Sequence, residues 1–580
     1  MQRDKILITT NLKDTWKDAN EAFFSGEWCI NYNDKIPYKK FHIEKDVFRN
    51  RLKLYDDYKY LSNLYQNLIV ILAESLNSYH KKNYTVKFWK IFFGIWLRNF
   101  LEISYAHYKH LNKIISNNKP SYSVIREFDS NHFFIENYKV YTQSIQSDSW
   151  RHYLQAEIIK NMSAKINLEK IYPHEDEEFT KYKEIKSNKK LYIELFKNTY
   201  LNLFKKKIQN SKFFIKKTYL GNKEENLLNF KLGAFPTFLN SNYKFEINQF
   251  NREDFKVNYN YKNEFEKIIL NLIIKFIPST YLENFGELNF VLNKTPTPKD
   301  PKIIFSSHLI NDELLALYSA LKIEKNKTIL LYGQHGGVYG QYKFSTQEDH
   351  EIELSDKYLS WGWNKHEKNI PFGILKRKIN YKFSDQKKIL FILRQNKIFF
   401  QRLNSGVWVS HYEYMEFIID FLKKLNPIYL DNMVIRLHAR RYSQFDEKKI
   451  LNDKNLLFKI DDGSNPIQSL IKESKLIINS YISSGFLELA ANNIPNILFA
   501  QFYKDILDEK SVKIFDELKE CNMYFDNADN LKKFLSENYS QVKDWWFSDK
   551  VQKCREKLCK NYAIVKNNKL EDISNIIKKL

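Results

Sequence analysis

The stretch GQHGGVYGQY, residues 333–342, concentrates unusual chemistry in a few positions. The chain has only 14 glycines in 580 residues. Gly333, Gly336 and Gly337 fall within five positions, and such spacing marks a tight turn or a close backbone approach. His335 stands among them as a candidate general base. Gln334, Gly336 and Gly337 form the loop that would meet a phosphate or an acceptor group. The pattern is neither G-x-G-x-x-G nor a P-loop, because the spacing and the Lys-Ser/Thr pair are absent. A second set is SSGFLELA, 483–490. Ser483 or Ser484 would cap a helix. Gly485 would let a ligand reach the backbone, where free N–H groups and the helix dipole favour phosphate. Glu488, one turn on, could accept hydrogen bonds from ribose hydroxyls. A third set is RLHARR, 436–441, where His438 lies among Arg436, Arg440 and Arg441, a cluster suited to an anion. Arg394, Thr10 and Glu27 of GEWC (26–29) complete the candidates, with Glu27 as a second base. Each has a plainer alternative: a turn histidine, a helix cap, a Trp-Cys core turn.

Most of these residues sit just after short apolar runs. KILITT (5–10), KIIFSS (302–307), TILLYG (328–333), KKILFIL (387–393), MVIRLH (433–438), LLFKI (456–460), KLIINS (475–480) and NILFA (496–500) read as strands. Amphipathic segments at 312–323, 412–425, 466–474 and 485–492 alternate with them. That alternation predicts βαβ units and parallel sheets. Ligands of such sheets bind beyond the carboxyl ends of the strands. The expected fold is α/β, with two Rossmann-like domains facing a cleft. Residues 1–363 would be an N-terminal, acceptor-side domain with large helical insertions, strongest at 55–80, 86–115 and 186–206. A linker at 364–386, a nucleotide-binding domain at 387–545 and a helical tail at 546–580 would follow.

Four cysteines suit a reducing compartment without a disulfide framework. Cys554 and Cys559 have no second pair or histidine nearby, so no zinc site is expected. No signal peptide is evident, and no uncharged run nears the ~18 residues that cross a bilayer. KFWKIFFGIWLRNFLEIS (87–104) reads as an aromatic-rich buried helix, with an interfacial helix as its alternative. The net charge of +23 would suit nucleic acid. Its lysines are scattered and accompany abundant Asn, Ile, Tyr and Phe, which points to compositional bias and to a surface that suits anionic substrates and the inner face of a membrane.

ILITTNLKDTW, FSGEWC, KFWKIFFGIWL, QHGGVYG, DKYLSWGW and SSGFLELAANNIPNILF occur in this order. Together they resemble a family of transferases encoded in bacterial O-antigen and surface-polysaccharide loci, over nearly the whole chain. The resemblance implies a glycosyltransferase-B type fold. It also implies transfer of a sugar from a nucleotide-activated donor to a cell-surface polysaccharide or lipid-linked glycan, by a cytoplasmic enzyme in peripheral contact with the inner membrane. A wider similarity reaches transferases that use cytidine-linked donors. In them a His-Pro pair and a Ser-Ser/Thr pair hold the nucleotide and a His-Gly supplies the base. His335-Gly336 and Ser483-Ser484 match; His438 is followed by Ala439 instead of Pro. Donor binding would then fall to His438, Arg440, Ser483, Ser484, Gly485, Glu488 and Arg394, and catalysis to His335 or Glu27. DDG (461–463) would be a nucleotide-side loop. The chain has no Asp-x-Asp, so metal-independent transfer is expected, with no cofactor beyond the nucleotide-sugar substrate; the transfer itself is expected to invert. The alternatives are a CDP-polyol phosphotransferase, a non-catalytic scaffold for polysaccharide assembly and a basic nucleic-acid-binding protein; nucleic acid is not the expected partner.

Overall fold

Short hydrophobic strands buried on both faces dominate the sheets, and the strand pairings described below are parallel. A computed structural model describes residues 5–580 apart from 33, 129–131, 165, 174–196, 198, 240–242, 244, 246–251, 377, 384–387, 395–398, 405–409, 430, 440–445 and 502–503. Two compact units emerge. Unit 1 comprises residues 1–217, 226–330 and 399–405; unit 2 comprises 218–225, 331–398 and 406–580. This division differs from the composition-based boundaries at 363, 386 and 545, and it puts GQHGG in the same unit as SSGFLELA.

Unit 1 holds a five-stranded sheet of β1 (Lys5–Ile8), β2 (Glu21–Phe24), β3 (Lys40–Ile43), β4 (Tyr122–Arg126) and β5 (Asn167–Ile171), in the order β3-β2-β1-β4-β5. Between β3 and β4 run the helices Arg51–His80, Val86–Phe92 and Gly94–Asn118. Asn50 caps the first, accepting from Lys53 N at 3.1 Å, and Lys81 ends it in a left-handed conformation at φ 52°. The aromatic-rich stretch at 87–104 is buried, with Trp89 and Trp96 fully enclosed. Its Arg98 stacks 4.1 Å above the Tyr65 ring, a contact that keeps a cation in an apolar place. Two further strands, β6 (Phe213–Ile215) and β7 (Ile303–Ser306), pair in parallel. The helix Glu313–Asn326 that follows β7 starts at Asp312, which caps Leu315 N.

β8 (Ile329–Gly333) enters unit 2 at Leu331, where it, β9 (Lys357–Ser360) and β10 (Asn369–Pro371) run side by side. A six-stranded sheet follows: β11 (Lys388–Ile392), β12 (Met433–Arg436), β13 (Lys459–Asp461), β14 (Ser474–Asn479), β15 (Asn496–Phe499) and β16 (Tyr524–Phe525). Their order is β13-β12-β11-β14-β15-β16. Leu390, Val434, Ile471, Ile477, Leu489 and Ile494 form one core cluster of this sheet and its helices. Each such side chain contributes about 1.5–3 kcal/mol by leaving water. The segment 546–580, expected as a tail, is built into the unit. Trp546 is fully buried and its Nε1 donates to Asn493 Oδ1 at 2.8 Å, while Ile374 N donates to Ile564 O at 2.8 Å.

Phe399–Ser405 follows β11 in the chain yet belongs to unit 1. Arg151 NH2 donates to Phe400 O at 2.6 Å and Leu403 N donates to Glu102 Oε2 at 2.7 Å. The Arg151 guanidinium also donates to Ile145 O at 2.6 Å and contacts His107 Nε2 at 3.0 Å; burial pushes it down to about 9.

Candidate functional site

The GQHGG loop begins where β8 ends. Gln334 is fully buried, and its side chain works inside the protein. Oε1 accepts from Trp361 N at 2.7 Å and from Trp363 Nε1 at 2.8 Å, and Nε2 donates to Gly336 O at 2.6 Å. Gln334 therefore fixes the turn that presents the next three residues. Gly337 has no room for a side chain: a Cβ there would lie 2.5 Å from Ser484 Cα and 2.6 Å from Ser484 N. Its N–H donates to Ser484 Oγ at 2.9 Å. A Cβ on Gly336 would meet only the Tyr339 ring, at 3.2 Å. The glycine cluster is thus explained by a docking contact, in which the loop lies directly on the start of the helix Ser484–Ala491.

His335 has a hydrogen bond at Nε2 and faces a carboxylate at Nδ1. Gln347 Nε2 lies 3.1 Å from His335 Nε2 and also donates to Glu351 Oε1 at 3.1 Å. An amide NH2 can only donate, so His335 Nε2 accepts and the ring proton sits on Nδ1. Nδ1 faces Glu351 Oε1 at 3.4 Å. Glu351 is fully buried on the helix Thr346–Leu354 and also accepts from the Tyr339 and Tyr358 hydroxyls, each at 3.2 Å. A carboxylate behind an imidazole fixes its tautomer and stabilises the imidazolium that forms when Nε2 takes a proton. Sequence reading named His335 and missed Glu351 and Gln347. Their signal was weak: an i, i+4 pair of polar residues on a helix otherwise rich in surface-like acids.

Ser483 caps the helix Ser484–Ala491, its Oγ accepting from Phe486 N at 3.1 Å. Ser484 Oγ holds Gly337 as above. Beside them, β14 ends in Asn479, fully buried, whose amide oxygen and nitrogen have no hydrogen-bond partner among the described residues. Its Oδ1 lies 3.9 Å from where a Gly485 Cβ would be. A fully buried amide without a partner is costly and calls for an explanation. An Asn closing an otherwise apolar strand was the sequence signal for it. Past β11, Arg394 stacks 4.0 Å over the Tyr414 ring, and its N–H donates to Tyr414 Oη at 3.0 Å and Ser480 Oγ at 3.1 Å. Burial lowers the Arg394 guanidinium to about 10, which leaves it a cation at neutral pH. Glu488 is engaged by Lys376, whose Nζ is 2.9 Å and 3.1 Å from its two oxygens. Burial raises the Glu488 carboxyl, and Lys376 and the Tyr219 hydroxyl oppose that rise.

His438 follows β12 and is half-buried. Its neighbour Ala439 is pressed by Gly463 (φ +95°), whose added Cβ would come 2.4 Å from Ala439 Cα. DDG is a local structure: Asp461 accepts from Arg436, Asn465 and Gly463 N, the last at 3.0 Å. Burial pushes its carboxyl up, but these donors outweigh burial and hold it below its usual value. Arg436 is thereby committed to this loop. Arg440 lies outside the described residues, as do Gln395, Asn396 and Arg441. Thr10 and Glu27 belong to unit 1. Thr10 is fully buried after β1, with no hydrogen bond at Oγ1 among the described residues. In GEWC, Trp28 and Cys29 are core, Trp28 Nε1 donating to Thr9 O at 2.9 Å, and Glu27 is half-exposed. Among the described residues no group of three or more His, Cys, Asp and Glu is arranged to hold a metal ion, and no helix is long and apolar enough to cross a membrane.

The family model of the LIC12162 family transferases matches residues 5–577. No curated protein matches the sequence. Among solved structures, the wall teichoic acid polymerase TagF is 14% identical over 48% of this chain and 80% of its own, with a TM-score of 0.28. MurG of Acinetobacter baumannii is 10% identical over 51% and 79%, with a TM-score of 0.30. The spinosyn rhamnosyltransferase SpnG, complexed with spinosyn aglycone, is 10% identical over 51% and 76%, with a TM-score of 0.27. At such scores the α/β architecture rests on the chain's own parallel sheets.

Proposed function

The chain belongs to the LIC12162 family of transferases, and from that premise we propose that it moves a sugar from a nucleotide-activated donor to a surface-polysaccharide or lipid-linked glycan acceptor. The observation that carries this reading is the docking of Gly337 on Ser484. It brings a histidine backed by a buried carboxylate next to a helix start lined by an unpartnered Asn479, in a sheet whose carboxyl edge also carries Arg394. The donor phosphates would meet the helix start, Asn479 and Arg394, with His438 on the nucleotide side. His335 Nε2 would release Gln347 and take the proton of the acceptor hydroxyl. The acceptor oxygen bonds to the anomeric carbon as the bond from that carbon to the phosphate oxygen breaks, its electron pair leaving with the nucleotide. Glu351 then faces the imidazolium. The reaction proceeds with inversion and without a metal ion, and the enzyme works at the inner face of the membrane.

The test is thermal stabilisation of the purified protein by CMP, CDP, UDP, GDP and dTDP, with His438→Ala and Asn479→Leu alongside. One nucleotide at a hundredfold excess over its Kd should stabilise the fold by about 2.7 kcal/mol. Both variants should lose that response. A flat response to all five overturns the nucleotide-sugar reading.

A further inference from the structure

We infer that an apolar patch ringed by lysines on unit 1, centred on Leu203, Leu227 and Phe230, is the face by which this transferase rests on an anionic lipid bilayer. The inference gives the membrane contact proposed above a definite surface and rests on that reading for its purpose. Leu203, Leu227 and Phe230 are 75%, 49% and 56% exposed, among the most exposed large apolar residues described. Ring contacts link the helix that carries Leu227 and Phe230 to the segment that carries Leu203. Phe230 lies 6.2 Å from Phe235, and Phe235 stacks on Phe204 at 5.2 Å, next in the chain to Leu203. Leu227 stands one turn before Phe230 on the helix Asn222–Lys231.

The charge around this patch is mostly positive: of the two acids in the first turn of the helix Asn222–Lys231, Glu225 is buried and Glu224 pairs with Lys569 at 2.9 Å. Residues 199–217 and 226–239 contain seven lysines and no Asp or Glu. Lys207 spreads over the patch itself, its Nζ 5.2 Å from the Phe235 ring centre and 5.9 Å from that of Phe204. Lys205 and Lys206 beside it are exposed. What sets this run apart from other acid-poor stretches is that its lysines flank exposed apolar side chains. The side chains select among polyanionic partners. Two of the three exposed apolar groups are leucines, which cannot stack on bases as a single-strand nucleic-acid surface requires. Protein interfaces are depleted of lysine. Aliphatic and aromatic groups beneath a lysine rim match the boundary of headgroups and acyl chains in an anionic leaflet.

The experiment is flotation of the full chain with vesicles of phosphatidylcholine containing about 30 mol% phosphatidylglycerol, against phosphatidylcholine alone. The protein should float with the anionic vesicles only, and less as salt rises. The triple variant Lys205→Gln, Lys206→Gln, Lys207→Gln should lower partitioning roughly a hundredfold, and Leu227→Ser with Phe230→Ser at least about tenfold. Exchanging Lys532 and Lys533 of unit 2 for Gln should leave it unchanged. Thermal midpoints and the nucleotide response report that each variant is folded. The inference falls if the protein ignores anionic vesicles, if the patch variants float as well as the parent, or if the patch variants lose RNA binding and keep vesicle binding. A preserved nucleotide response beside any of these leaves the transferase reading standing. Vesicle binding without a nucleotide response does the reverse.

Discussion

Gly337 has space for a hydrogen and nothing larger, because the backbone of Ser484 occupies the place of a β-carbon. Gly337→Ala should therefore lower stability by about 1–3 kcal/mol, the range of overpacking a fixed site. Gly336→Ala, facing a ring that can shift, should cost less; urea denaturation of the pair measures the difference. His335→Ala should slow transfer about 10²–10⁴-fold if His335 is the base. Glu351→Gln keeps the shape of the site and removes the charge behind His335. Turnover should drop at least about tenfold, and the acid limb of the pH–rate profile should move to lower pH. An unchanged limb would mean that Glu351 only packs. At this scale the sequence displayed the groups but not their partners. His335, Ser483 and Ser484 were visible from their glycines and from the strand ends. Glu351, Gln347 and Asn479 matter through burial and direction, and one-dimensional order carries neither.

Glu348 shows how a helix can carry a pH dependence. On the helix Thr346–Leu354 its two oxygens accept from Gly340 N at 3.1 Å and 3.0 Å, and burial raises its pKa from 4.5 to about 8. The folded chain thus keeps a proton that the unfolded chain releases above pH 4.5. Between about pH 5 and pH 8 each rise in pH favours unfolding, by at most ~1.4 kcal/mol per unit for this group. Glu313 in unit 1, raised to about 7 by burial, acts in the same direction. The thermal midpoint should fall across that window, and Glu348→Gln should flatten the fall. Strands show the same contrast between what order reveals and what it hides. β11, β12, β14 and β15 announce themselves as apolar runs alternating with amphipathic helices. β2 to β5 do not: β3 and β5 are exposed or half-exposed and carry no apolar run, and the long helices at 51–118 separate β3 from β4. The helix expected at 186–206 lies mostly outside the described residues.

The chain passes between its two units five times, at 217/218, 225/226, 330/331, 398/399 and 405/406. A fragment cut at the composition-based boundaries, 387–545, lacks β8 to β10 and the residues from Trp546 onward that close unit 2. Expressed alone it should show no cooperative melt in near-ultraviolet circular dichroism; a sharp transition would mean that the six-stranded sheet is self-sufficient. The segment Phe399–Ser405 has a consequence in time as well. Arg151 and Glu102 are made early, but the carbonyl and amide that engage them, from Phe400 and Leu403, are made late. At ribosomal speeds, the stretch from Leu331 to Ser405 takes roughly 4 to 15 s to synthesise. Through that interval the nascent unit 1 waits with a buried-to-be cation and without Phe399 and Phe400, which pack 6.3 Å and 5.9 Å from the Trp28 ring. A holdase that shields aromatic surface would find its client in this waiting state rather than in the finished enzyme.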